Sequence, residues 1–189
     1  MRIDVVPTPQ GPLRCLDGRL VDAGTGALRA TWSPVVRASV ALPGGRTLLL
    51  AAGAGGPRRF DLDAGEELAP VRDPAEVWDV TAADAVLAGA GPAGLHRWDV
   101  VAGTRLGSSS LLGPPLRAIT AVPRPGGGIT LVACDATTLY RWDAATGASL
   151  LPPQPTAATS LTGLAPAPSL RPALLGYDAS GAVHRWDID

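Results

Sequence analysis

With 189 residues, 46% of them hydrophobic and 17% charged, the chain can bury one sizeable core, and a formal net charge of −1 gives no basis for electrostatic capture of nucleic acid or of an anionic membrane surface. It contains no lysine, which removes every Schiff-base and phosphate-loop lysine from consideration. The longest apolar run, residues 48–52, is far short of a membrane span, and the opening MRIDVVPTPQ lacks the apolar core of a signal peptide, so a cytoplasmic protein is expected.

The 23 glycines and 19 prolines fall between short apolar runs rich in Val, Leu and Ala, and so read as turns between strands. Residues 1–30 give strand segments RIDVV, PLRC and RLV, the last two joined across Asp17-Gly18, a strong hairpin signal. After Trp32-Ser33-Pro34, residues 31–70 give VVRASVALP, TLLLAA, RRFD and EELAP, a four-strand plan. Residues 71–110 repeat it with EVWDVTA, AVLAGA, LHRWD and TRLG before a Ser108-Ser109-Ser110 loop. Residues 111–153 give LRAITAVP, GGGITLVAC, TLYRWD and ASLL, and residues 154–189 give TSLTGLAP, PALLGY and AVHRWD. These five units form one domain over 1–189.

One feature recurs through all five. An Asp follows Val21 at Asp22, Phe60 at Asp61, Trp98 at Asp99, Trp142 at Asp143 and Trp186 at Asp187, at spacings of 38 to 44 residues. Self-similarity at that period indicates a propeller or another repeat array. In the first four units a Gly stands four residues later, at Gly26, Gly65, Gly103 and Gly147. The Asp carboxylate is suited to bonding turn amides, and the Gly to the positive φ of a reversal. Trp78-Asp79 is out of phase and has Ala83 where Gly is expected.

On these residues the chain resembles the WD-repeat β-propellers, in degenerate form, along nearly its whole length. The family's turn Asp, some eight residues before the repeat Asp, is matched at Asp135 and Asp178; the family's Gly-His pair has no counterpart, so its buried network must be absent or rebuilt. The resemblance implies an all-β propeller of about five four-stranded blades. The segments above supply nineteen strands, leaving the last blade without its outer strand. Such a chain is a small ring with an imperfect seam, closed by RIDVV, or an open arc, or half of an assembly completed by another chain through the open edge.

Other signals are weaker. Gly89-Ala90-Gly91-Pro92-Ala93-Gly94 matches the dinucleotide fingerprint, but it precedes a strand where that loop needs a helix, and a hairpin is expected, as at the run 53–56. His96 and His184 share a column with Arg58 and Tyr140, the behaviour of a packing position rather than of a metal ligand. Cys15 and Cys134 read as isolated thiols in strands. The cluster Asp61, Asp63, Glu66 and Glu67 reads as a solvated turn. The residue before the aromatic is Arg at Arg59, Arg97, Arg141 and Arg185. Each is expected to pack its stem between repeats and pair with a carboxylate, such as the repeat Asp of a neighbour; the alternative is a guanidinium ring for an acidic ligand.

No nucleophile–base set, cofactor motif or metal spacing emerges. The resemblance implies a non-enzymatic scaffold presenting loops to a protein partner. Candidate contacts are the residues that do not repeat, on loops entering the inner strands: Trp32, Arg37, Arg72, Asp73, Glu76, Trp78 and Arg117, since exposed Trp and Arg anchor interfaces. Alternatives are a ligand-binding or hydrolytic propeller using a central channel near Asp4, Asp79, Thr120 and Thr162, or a fragment of a longer repeat protein.

Overall fold

The computed structural model describes residues 4–6, 8, 11–16, 19–32, 34–109, 113–158, 160–167 and 172–188. The Asp17-Gly18 hairpin, Arg2 of the RIDVV segment, Ser33, Ser110, Asp189 and the Asp4 side chain lie outside the described residues. Among the described residues the chain forms nineteen strands and no helix, gathered into five antiparallel sheets.

Sheet one holds β1 (Asp4–Val6), β2 (Leu13–Leu16), β3 (Arg19–Asp22) and β4 (Leu28–Thr31). Sheet two holds β5 (Val36–Ala41), β6 (Thr47–Ala51), β7 (Arg58–Asp61) and β8 (Glu66–Glu67). Sheet three holds β9 (Asp79–Ala83), β10 (Val86–Gly91), β11 (Gly94–Asp99) and β12 (Arg105–Ser109), so the expected serine loop is strand through Ser109. Sheet four holds β13 (Ala118–Pro123), β14 (Ile129–Cys134), β15 (Thr138–Asp143) and β16 (Ser149–Pro155). Sheet five has three strands, β17 (Leu161–Ala167), β18 (Ala173–Asp178) and β19 (Val183–Asp187).

Within each sheet the strands lie in sequence order. The first strands pack side by side, β1 by β5, β5 by β9, β9 by β13 and β13 by β17, while among the described residues β17 makes no comparable contact with β1. The N-terminal strand pairs with β2, Val5 opposite Arg14, and therefore belongs to sheet one instead of completing sheet five.

Four hydrophobic clusters fill the spaces between successive sheets. The second strands of sheets two and three are covered on both faces, which explains why β6 and β10 read as apolar runs without alternation and are buried at every position. Trp98 lies opposite Leu87 and Trp142 opposite Leu131, each pair facing the preceding sheet. The outermost strand of sheet four, β16, is exposed throughout.

The repeat turns fold by one local mechanism. Asp22, Asp61 and Asp99 each accept two turn amides on Oδ1, from Gly24 and Thr25, from Asp63 and Ala64, and from Val101 and Ala102. Asp143 Oδ1 accepts the amide and the hydroxyl of Thr146. The amides of Gly26, Gly65, Gly103 and Gly147 then donate back to the Asp carbonyls at 2.8–2.9 Å. All four glycines have φ between 70° and 75°, a conformation that costs a residue with Cβ about 1 kcal/mol.

Candidate functional site

The first strands of sheets two to five frame a central cavity of about 540 Å³. Its wall carries Arg37 and Ser39 from β5, Thr81 from β9, Thr120 from β13 and Thr162 from β17, with Trp78 and Arg117 just before β9 and β13. The opening exists because inner-strand residues are small. At the level of each Arg of the third strands the inner strand places Ala38, Thr81, Thr120 and Ala165.

The expected contact residues divide into three groups. Arg37, Trp78 and Arg117 line the cavity and are exposed, Trp78 by 41%. Its indole donates to Glu76 Oε1 at 2.9 Å, and Arg117 donates to Ser160 Oγ at 3.1 Å. Arg72, Asp73 and Glu76 are exposed on the connection to β9; there the Arg72 amide donates to the Gly103 carbonyl, its carbonyl accepts the Trp98 indole, and Asp73 adopts a φ of 50°. Trp32 departs from expectation. It is only 4% exposed, stacks on Phe60 with ring centroids 5.4 Å apart, donates to Glu67 and lies under the Arg58 guanidinium, so it is a core side chain between sheets one and two.

Of the residues named for a channel, Asp79, Thr120 and Thr162 reach this cavity. The Asp79 carboxylate accepts the Ile119 amide at 3.0 Å and thereby ties β9 to β13. The Thr162 hydroxyl donates to the Tyr177 carbonyl. Ser39, Thr81 and Tyr177 were not anticipated as lining; the signal for them is the run of small or hydroxylic residues on successive inner strands.

The acidic cluster is not simply solvated. Asp61 is buried, paired with Arg46, and Asp63 accepts the Thr47 amide, while Glu67 pairs with Arg58. Burial pushes the Asp61 carboxyl up, but the Ala64 amide and the Arg46 guanidinium outweigh it and hold the group below its ordinary value. Burial in β14 raises the Cys134 thiol to about 12, which leaves it protonated and unreactive at neutral pH.

The histidine column is a packing column. His96, Tyr140 and His184 each stand 5.8–5.9 Å from the Trp two residues on, whereas Arg58 lies over Trp32 and not over Phe60 two residues on. Two turn aspartates extend it: Asp135 accepts the Tyr140 hydroxyl at 2.8 Å and Asp178 sits 3.1 Å from His184 Nε2. These contacts tie the column to the turns before β15 and β19 in sheets four and five. Among the described residues no three His, Cys, Asp or Glu side chains are grouped as metal ligands.

The glycine-rich run lies in the β10–β11 hairpin. Its glycines have a packing cause: a Cβ on Gly89 would strike Val77 and one on Gly91 the Glu76 carbonyl, because the segment entering β9 crosses directly over β10. The Trp78 amide donates to the Ala90 carbonyl at that crossing.

Arg185 meets a carboxylate as expected, Asp187 Oδ1 at 3.3 Å, whereas Arg59 and Arg97 make a different contact. Arg59 Nη1 donates to the carbonyls of Val100 and Val101 at 3.0 and 2.7 Å, in the repeat turn of the next sheet. Arg97 repeats this one sheet on, donating to the carbonyls of Ala144, Ala145 and Thr146 at 2.8–3.0 Å. Each guanidinium lies against the turn glycine, so that a Cβ on Gly103 or Gly147 would overlap it. Burial lowers both guanidinium pKa values, and the charges of Asp99 and Asp143 oppose that shift. Both side chains remain cations at any ordinary pH.

No protein family's sequence profile matches this chain, and no curated protein does. Among solved structures it is similar to the crystal structure of the computationally designed Ika4 protein, with a TM-score of 0.57 and 19% identity over 82% of this chain and 92% of that one. That likeness is one of fold. Among the described residues no helix is long and apolar enough to cross a membrane.

Proposed function

We propose that the five sheets are blades of a small WD-repeat-like β-propeller, and that the chain is a non-enzymatic scaffold in the cytoplasm which holds a segment of a protein partner at the mouth of its central cavity. The observation that carries this reading is the convergence of Arg37, Trp78 and Arg117 on one polar-walled opening. An exposed indole and two guanidiniums on one opening suit an extended peptide with acidic side chains, stacked on the ring and paired by the arginines. Binding is favoured over catalysis because the carboxylate at the site, Asp79, is committed to the Ile119 amide.

A fluorescein-labelled panel of acidic, neutral and basic peptides, titrated by anisotropy, tests the reading. Acidic peptides should bind best, and Trp78→Ala or Arg117→Ala should each weaken them by about tenfold or more. Equal binding of basic and acidic peptides, or affinities untouched by both substitutions, would remove this site. The cavity also has the size of a small-molecule pocket, which favours a second reading in which a small anion occupies it.

A further inference from the structure

The arginine contact has a direction. The guanidiniums of Arg59 in sheet two and Arg97 in sheet three reach forward to the two carbonyls after the repeat Asp of the next sheet, and rest on that turn's bare glycine. Sheet five carries the donating half without an acceptor. Arg185 stands opposite Leu175, as Arg141 stands opposite Val132 and Arg97 opposite Ala88. Yet its side chain is 59% exposed and reaches only Asp187 Oδ1, at 3.3 Å. The same face shows Tyr177 and Val183, the latter 70% exposed, where sheet four has Cys134 and Leu139, both essentially fully buried.

Sheet one carries the accepting half without a donor. Its repeat turn is complete: the amides of Gly24 and Thr25 donate to Asp22, and Gly26 closes it with φ 73°. The space over Gly26 is open. Gly65 is open too, but for a visible reason, since sheet one offers it Leu20 where later sheets offer Arg. Among the described residues no sheet makes substantial contact on the Gly26 side. The outward face there presents Arg14, Arg19 and Val21. Asp187, 64% exposed beside Arg185, is a carboxylate opposite in charge to that basic face.

We propose that sheet five of one copy docks on sheet one of a second copy, with Arg185 donating to the carbonyls of Ala23 and Gly24, Val183 and Tyr177 covered, and Asp187 facing Arg14 and Arg19. A second copy is the occupant because the two unfilled halves of one contact, and the two opposite charges, lie on opposite ends of the same chain. The interface is head-to-tail, and two copies close it by exchanging both ends.

Light scattering on a sizing column, with the whole chain, decides the matter. The wild type should elute at twice the 19.2 kDa chain mass. Arg185→Glu and Val183→Glu, both at exposed positions, should fall to the single-chain mass with unchanged far-UV circular dichroism, and Arg14→Glu with Arg19→Glu should do the same from the other end. A wild type at single-chain mass would overturn the proposal. So would an assembly indifferent to Arg185→Glu and Val183→Glu. An assembly lost with Arg185→Glu but intact with Arg14→Glu and Arg19→Glu would mean that sheet five pairs with itself, and would overturn the head-to-tail arrangement.

Discussion

The boundary between sheets three and four and the boundary between sheets four and five are built from the same column of residues, and only the first is complete. At the first, Arg97 is buried with three carbonyls of the sheet-four turn on its guanidinium. At the second, Arg141 occupies the same register but turns back to Gln154 Oε1 of its own sheet at 2.8 Å. Its Nε is buried without a partner, and it borders a cavity of about 480 Å³ with Arg124, Leu150, Leu151 and Ile188. A buried guanidinium stabilises a sheet boundary only where carbonyls meet it; elsewhere its desolvation is uncompensated.

Truncation of the aromatic column should separate the two boundaries most strongly. Trp98 is fully buried, and Trp98→Ala should cost about 4 kcal/mol in urea unfolding, whereas the half-buried Trp186→Ala should cost about half that or less. Equal costs would mean that sheet five is packed as tightly as sheet three. The arginines come next. Arg97→Met takes the donor from the buried Ala144 carbonyl and from the partly buried Ala145 and Thr146 carbonyls and should cost about 3 kcal/mol, while Arg141→Met removes an unpaired buried donor and should change stability by less than about 1 kcal/mol in either direction.

A smaller effect follows from acid. The Thr146 amide, the Thr146 hydroxyl and the Arg124 guanidinium hold Asp143 at about 2, and the Ser180 hydroxyl with His184 and the Ala182 and Ser180 amides hold Asp178 at about 2. Both lie below the ordinary carboxylate value, so the unfolded chain binds protons more readily than the folded one. The stabilisation is complete above pH about 4 and is lost as pH falls towards 2. The urea midpoint should therefore drop between pH 5 and pH 3, and drop less in Asp143→Asn; an identical drop would show that the turn carboxylate is not the sensor.

How much of this was readable in advance depended on whether the cause was local. The repeat turns were legible to the residue, because an Asp and a Gly four apart carry their own hydrogen bonds and φ at Asp22, Asp61, Asp99 and Asp143. The three-stranded last sheet followed from the same counting. What stayed hidden needed contacts between units. Trp32 sits beside Ser33-Pro34 and reads as a loop anchor, yet Phe60 and Arg58 of the next sheet cover it. The arginine column was visible, but the partners of Arg59 and Arg97 are carbonyls some forty residues downstream, and carbonyls have no signature in sequence. Of the proposed binding set, Arg37, Trp78 and Arg117 converge only because four inner strands are lined with small residues.

The forward-reaching guanidinium is tested most directly by glycine. Gly65 and Gly147 have nearly the same φ, 73° and 75°, but only Gly147 lies under an arginine. Gly65→Ala should cost about 1 kcal/mol from backbone strain alone. Gly147→Ala should cost about 2 kcal/mol more, because the new methyl displaces Arg97 from its carbonyls, and that excess should vanish when both glycine substitutions are remeasured with Arg97→Met. Equal costs at the two glycines, or an excess that persists without Arg97, would contradict the account.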